Sequence, residues 1–329
     1  MKTNYLKAAM AAALIASATP QAASAAQENP VGGLDHVLIW TRNIDQITSI
    51  MTVKLGFQVR PGGDFGDGVA NRLIPFADRS YLELLYFTRP EAELAEEPRE
   101  VFAATERGTM ANMFALEAID VEAASSQLRG RGWALAPDSP MTYDPDGDGP
   151  QPARESTWRT IGFQSPPLTS ANLFFIKYQR GPSSPVDEAD RIVFRRHPNG
   201  AQRISAVWLL SPDAEAESEK LTRMGFNRAG EVSLPEQGLR GFRFDSAGET
   251  ILALQPVGPV PAADALAQRG AHVYGLSIEV EDVGRARRIA EWGYGREMTT
   301  YQGLLGEAFA APTSAELGFM LEFHQTPSP

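Results

Sequence analysis

Four times along this chain an apolar strand passes into an amphipathic helix that stops at a glycine beside an aromatic residue, and a second apolar strand follows further on. The first copy runs from residues 34–40 through Ile44, Ile47, Met51 and Leu55 to Gly56-Phe57, and ends in the strand at 81–87. The second opens at 114–121, carries Val121, Ala124 and Leu128 at helical spacing, reaches Gly132-Trp133 and resumes at 173–178. The third takes 204–213, Leu221, Met224-Gly225-Phe226 and 251–254; the fourth takes 274–282, a helix ending near Trp292-Gly293-Tyr294, and 318–324. Repetition of a supersecondary unit constrains a fold more than any single motif, because each copy must bury its apolar face against a neighbour. Each copy is expected to be a strand, a helix and three strands, an α+β class of fold. The Pro-, Ser- and charge-rich stretch 180–199 divides the chain into two halves of two units each, with domains at 31–182 and 200–326 and a linker at 183–199. Residues 89–107 are expected to form an acidic surface helix between the first two units.

Chemistry concentrates in the first copy. Every second side chain of a strand points to one face, so His36 is expected to share its face with Leu34, Leu38 and Trp40, and Glu83 with Tyr81, Leu85 and Phe87. A carboxylate among apolar neighbours is costly unless it is paired, hydrogen-bonded or bound to a cation. His and Glu are ligands of divalent ions, and together they read as half of a metal site. A buried imidazole bonded to Glu83 as a structural pair accounts for the same residues equally well. Asn71 and Arg72, where a glycine-rich turn enters the next strand, are candidates to contact a polar or anionic group of a substrate, and Trp40 to line its site.

The ends and the composition restrict the setting. Residues 1–25 carry Lys2 and Lys7, an apolar run at 8–18 and the small-x-small site Ala23-Ser24-Ala25, the pattern of a secretory signal peptide cleaved after Ala25. That run is shorter than the ~20 residues of a membrane span, and no other segment comes close. The mature protein is expected to be soluble, periplasmic or secreted. Without Lys2 and Lys7, 28 of the 30 basic residues face 41 acidic ones, a formal charge of −13 that argues against nucleic acid as a partner. A monomer or a homodimer fits equally. The absence of cysteine excludes disulfides, thiolate metal sites and cysteine nucleophiles, and no nucleophile elbow, phosphate loop or dinucleotide fingerprint is present.

Four such units with a histidine in the first strand and a glutamate in the last resemble the vicinal oxygen chelate superfamily, in its glyoxalase-like branch (glyoxalase, bleomycin resistance and extradiol dioxygenase type). The residues that carry the likeness are Leu34-Asp35-His36-Val37, Leu55-Gly56-Phe57, the turn Pro61-Gly62-Gly63 running on to Gly68-Val69-Ala70-Asn71-Arg72, Tyr81-Leu82-Glu83-Leu84 and His197-Pro198-Asn199-Gly200-Ala201. The resemblance implies four βαβββ units paired into two half-open β-barrels, each around a divalent metal (Zn, Mn, Fe or Ni) held from the first and last strands of the paired units. It implies a small-molecule ligand, with lyase, isomerase or dioxygenase chemistry on vicinal oxygens, or metal-free sequestration.

Carried over by position, the place of His36 falls on Met113, Ala206 and Gly275, and that of Glu83 near Phe175, on Ala253 and on Glu322. Sequential pairing of units, expected because consecutive elements are usually neighbours, leaves no barrel with more than two ligands. Pairing of the first unit with the fourth would instead join His36, Glu83 and Glu322 as a metal site, with a carboxylate ligand as base. A metal-free binding protein, or a structural duplicate filled by Trp40, Met113 and Phe175, stands beside the enzyme reading. Asp64-Phe65 takes a place where the related sequences are expected to carry a histidine. Among weaker signals, Asp144, Asp146, Asp148 and Glu155 match calcium-loop spacing, although a solvated acidic turn explains them better. His197 is expected to join the halves structurally. His272 is out of strand register for a ligand, and His324 is expected at the surface.

Overall fold

The computed structural model describes residues 31–65, 68–137, 142–143, 154–155, 158–178, 192–314 and 316–327. Residues 1–25, expected to be a signal peptide, and most of the calcium-like loop lie outside these residues.

The first half comprises β1 (Val31–Thr41), α1 (Ile44–Ser49) continued by a wider helical turn (Ile50–Lys54), β2 (Arg60–Asp64), β3 (Val69–Pro75), β4 (Tyr81–Phe87) and α2 (Glu96–Ala104). Its second unit follows with β5 (Met110–Ala118), α3 (Val121–Gly130), a two-residue pair β6 (Thr142–Tyr143) and β7 (Arg154–Glu155), β8 (Trp158–Ile161) and β9 (Asn172–Tyr178). The second half contains β10 (Ala201–Leu210), α4 (Ala214–Met224), β11 (Asn227–Leu234), β12 (Leu239–Ser246), β13 (Glu249–Pro256) and α5 (Pro261–Arg269). It is completed by β14 (His272–Val280), α6 (Val283–Tyr294), β15 (Tyr301–Gly303), β16 (Gly306–Ala310) and β17 (Met320–Gln325).

The residue that closes each opening strand has a structural task. Asn43, Asp120, Asp213 and Asp282 each accept a backbone N–H three residues on, from Gln46, Ala123, Ala216 and Arg285, and so cap the helix that follows. Gly225 and Gly295 end α4 and α6 with φ of 113° and 65°, a conformation costly for side chains with a Cβ.

Units pair in sequence. The order β2-β3-β4-β1-β5-β9-β8 makes one sheet, and β11-β12-β13-β10-β14-β17-β16-β15 makes the other. In each, the opening strand runs parallel to the last strand of its own unit and antiparallel to the opening strand of the next. These are two curled half-barrel sheets. Among the described residues the second unit adds three strands to its sheet, because β6 and β7 pair only with each other.

One apolar core joins the helix-bearing faces of both sheets. It includes Val37 and Ile39 of β1, Met51, Leu55 and Phe57, and Val207, Leu209, Leu221 and Phe323 from the second half. The turn at 197–201 ties the halves at this junction. Asn199 donates to the Leu55 carbonyl at 2.7 Å and accepts from the Ala201 N–H at 3.0 Å. His197 accepts the Gln58 N–H on Nδ1 at 2.9 Å and donates from Nε2 to the Pro75 carbonyl at 3.0 Å, its ring edge-on to Phe57 and Phe76. Those bonds require the neutral Nε2–H tautomer.

Burial lowers the His197 pKa from 6.5 to about 4. Between these values the unfolded chain binds the proton and the folded one does not, so this contribution is complete above pH 6.5 and is lost as pH falls through about 4. The loss expected by pH 4 is about 3 kcal/mol. Urea unfolding at pH 7 and pH 4.5 is expected to show a smaller difference in His197→Gln than in the parent. An equal difference would contradict the assignment.

Candidate functional site

The outer faces of the two sheets differ. On the second, Trp208, Leu210, Leu252 and Leu254 of β10 and β13 are buried beneath Ala262 and Leu266 of α5 and the Leu304-Leu305 turn. On the first, Leu38, Val69 and Leu85 are buried, but Trp40, Phe65, Phe87, Met113 and Phe174 around them are only half-buried. The first sheet therefore leaves an aromatic surface partly uncovered, and its polar groups lie at one end.

There the parallel β1–β4 register sets His36 opposite Tyr81 and Leu38 opposite Glu83. His36 is 3% exposed, with its ring stacked on Tyr81 at 4.4 Å and Phe174 edge-on at 5.5 Å. Its Nδ1 lies 2.6 Å from Asp35 Oδ1 and its Nε2 3.5 Å from Glu83 Oε2. A carboxylate only accepts, so the Nδ1 proton is donated to Asp35, and Nε2 faces Glu83. Glu83 Oε1 accepts from Asn71 Nδ2 at 2.6 Å, and Asn71 Oδ1 accepts from the Gly63 N–H at 2.8 Å. On the other side Tyr178 donates to Asp35 Oδ1 at 3.0 Å and receives the Tyr81 hydroxyl proton at 3.1 Å. Burial, reinforced by neighbouring acidic groups, holds both phenols well above their usual pKa, so they stay protonated donors.

The chain of contacts thus runs Tyr81, Tyr178, Asp35, His36, Glu83, Asn71. It can orient one imidazole and share a proton between two carboxylates. Trp40 stacks on Phe87 at 5.4 Å, and its indole N–H is buried without a partner among the described residues.

Asp35 and Tyr178 were not foreseen from the sequence. By alternation Asp35 belongs on the face opposite His36, but the β1–β5 register shifts between Leu34 and His36, a bulge that breaks the alternation. The same bulge places Leu34 in the inter-sheet core rather than on the His36 face. Gly32-Gly33 was the only local sign of it.

Other expectations are corrected by strand register. Arg72 faces the helices and bonds to Thr48 and Asp45 at 2.9 Å each, away from Glu83. Phe175 and Ala253 lie in the inter-sheet core, and the positions matching Glu83 are Phe174 and Leu252. Glu322 does match Glu83, sitting opposite Ser277 two residues beyond Gly275. It belongs to the second sheet, however, where it accepts from Ser277 at 2.8 Å and Tyr301 at 2.7 Å. Sequential pairing keeps it from joining His36 and Glu83. His324 is 1% exposed rather than at the surface, with its Nε2 2.6 Å from the Ser205 hydroxyl. His272 is also buried, and it donates from Nδ1 to the Gly270 carbonyl at 2.7 Å.

A family model described as a glyoxalase-like domain matches residues 34–225. The chain belongs to that family. Among curated proteins no sequence matches it. Two solved structures align with this glyoxalase-like chain over most of its length. One is a hypothetical protein from Staphylococcus aureus, with a TM-score of 0.56, 12% identity and coverage of 89% of this chain and 98% of that one. The other is a variant of 4-hydroxymandelate synthase from Streptomyces coelicolor, with a TM-score of 0.60, 12% identity and coverage of 92% and 95%. At such identity the likeness is one of fold, that of the vicinal oxygen chelate proteins.

A divalent metal is common in that superfamily, so the donors of this glyoxalase-like site bear directly on its chemistry. His36 Nε2 and Glu83 Oε2 are two, Asp35 is occupied on the far side of the imidazole, and the paired unit supplies Met113 and Phe174. No cluster of three His, Asp or Glu suited to a metal occurs among the described residues. A tightly held catalytic ion takes three or more protein ligands, and this set does not fit one.

Proposed function

We propose that the concave face of the first sheet binds a small organic molecule and that His36 exchanges a proton with it. The observation that carries this reading is the Asp35–His36–Glu83 arrangement at the end of a half-open aromatic surface. Asp35 fixes the imidazole tautomer, leaving Nε2 as the base, and a proton taken up there is stabilised by both carboxylates. The indole N–H of Trp40, without a partner among the described residues, is a donor suited to an oxygen of the ligand. Together these features favour proton abstraction beside a carbonyl group over a reaction routed through a metal. Residues 1–25 further suggest that the protein works outside the cytoplasm, and an N-terminus at Ala26 on protein from a cell-envelope fraction would bear that out.

Binding is testable without knowing the substrate. In a thermal-shift screen of small carbonyl and phenolic compounds, those that stabilise the parent are expected to lose their effect on His36→Ala and on Trp40→Ala. Compounds that stabilise all three proteins equally would place the ligand elsewhere.

A further inference from the structure

A cavity of about 250 Å³ lies where the two halves meet, between the end of α2 with the start of β5 and the end of α5 with the start of β14. It is on the edge of the inter-half junction and shares no lining residue with the His36 site. Two arginines, Arg107 and Arg269, are on its lining, together with Glu106 and the buried His272. Arg269 crosses from the second half, donating to the carbonyls of Thr109 at 3.2 Å, Gly318 at 2.8 Å and Arg107 at 3.2 Å. This brings it beside the like-charged Arg107, and the repulsion adds to partial burial in lowering its pKa. Among the described residues neither arginine has a carboxylate partner. The acid on the rim, Glu106, is 72% exposed and leans towards Arg42 at 3.8 Å. In the same wall Asn112 has a buried amide oxygen without a hydrogen-bond partner among the described residues. In a protein with 41 acidic and 30 basic residues, two neighbouring cations without a carboxylate partner among the described residues are a local reversal of the overall charge.

We propose that this cavity binds a small oxyanion, a carboxylate or phosphate, against Arg107 and Arg269. The negative charge relieves the repulsion between the two cations, and planar guanidinium groups match the oxygen geometry of both anions. A hydroxyl on the same ligand would satisfy Asn112. The volume, several times the ~30 Å³ share of one water, suits a small metabolite rather than a polymer. Because Arg269 spans the halves, the anion would also strengthen their junction.

Calorimetric titration of the full chain with malonate and with inorganic phosphate, at ionic strength held constant with chloride, tests this. Saturable binding of either anion is expected, and the preferred one identifies the ligand as carboxylate or phosphate. The Arg107 side chain is exposed and makes no hydrogen bond among the described residues, so Arg107→Ala is expected to keep its melting temperature while weakening binding at least about tenfold. His36→Ala is expected to bind the anion as the parent does, which separates this site from the proton-transfer site. Neither anion saturating, Arg107→Ala binding as tightly as the parent, or His36→Ala abolishing binding would each overturn the proposal.

Discussion

Replacing His36 by alanine is expected to slow proton transfer at the first sheet by about 10²–10⁴-fold, the usual contribution of a positioned general base. The concave surface of Leu38, Val69 and Leu85 and its aromatic rim stay in place, so the loss should fall mainly on kcat and not on KM. Asp35→Asn separates positioning from chemistry. An amide at this position can donate to Nδ1, which drives the proton to Nε2 and removes the base without removing the ring. A loss approaching that of His36→Ala is therefore expected, and ring ¹⁵N chemical shifts should report the change of tautomer. Intact activity in Asp35→Asn would show that the 2.6 Å contact does not set the state of the imidazole.

Glu217→Ala is expected to cost about 4 kcal/mol of stability, although it lies far from that chemistry in sequence. Glu217 is a helix residue of the second half, 1% exposed, yet its carboxylate accepts the backbone N–H groups of Thr169 at 3.0 Å and Ser170 at 2.9 Å from the first half, and the Ser170 hydroxyl as well. Alanine strands the two donors of Ser170, itself buried at 3% exposure, whereas the exposed Thr169 can turn to water. Each unsatisfied buried donor costs about 1–3 kcal/mol. Glu217→Gln retains an acceptor and is expected to lose roughly half as much. Urea midpoints give both numbers, and a change below about 1 kcal/mol for alanine would mean that water replaces the carboxylate easily.

How far such residues can be read from sequence depends on how local their signals are. The units were legible because helix caps, glycine stops and apolar periodicity are written within about ten residues of each other, and Asp120, Asp213 and Asp282 mark three of four helix starts. The equivalence of Glu322 with Glu83 was legible for the same reason, since each sits two residues into the last strand of its unit. Asp35 was not, because a bulge reverses strand alternation without a strong local signature. Tyr178 meets Asp35 across 143 positions, and nothing in either segment announces the pairing. Glu217 carries no local sign of its burial, which follows from how the halves dock. Arg72 differs: as the neighbour of Asn71 in one strand it could not share the same face, so alternation alone already argued against it.

Deuterium uptake tests the central claim most directly. Chelator-treated protein, verified by elemental mass spectrometry to hold less than about a tenth of an equivalent of transition metal, would be incubated in D₂O with the carbonyl compounds that stabilise it. Exchange of the proton beside the carbonyl in the parent, with near-complete loss in His36→Ala and Asp35→Asn, is the predicted result. Exchange that disappears on chelation and returns with a divalent metal, or that persists in His36→Ala, would contradict the account of His36 as a metal-independent base.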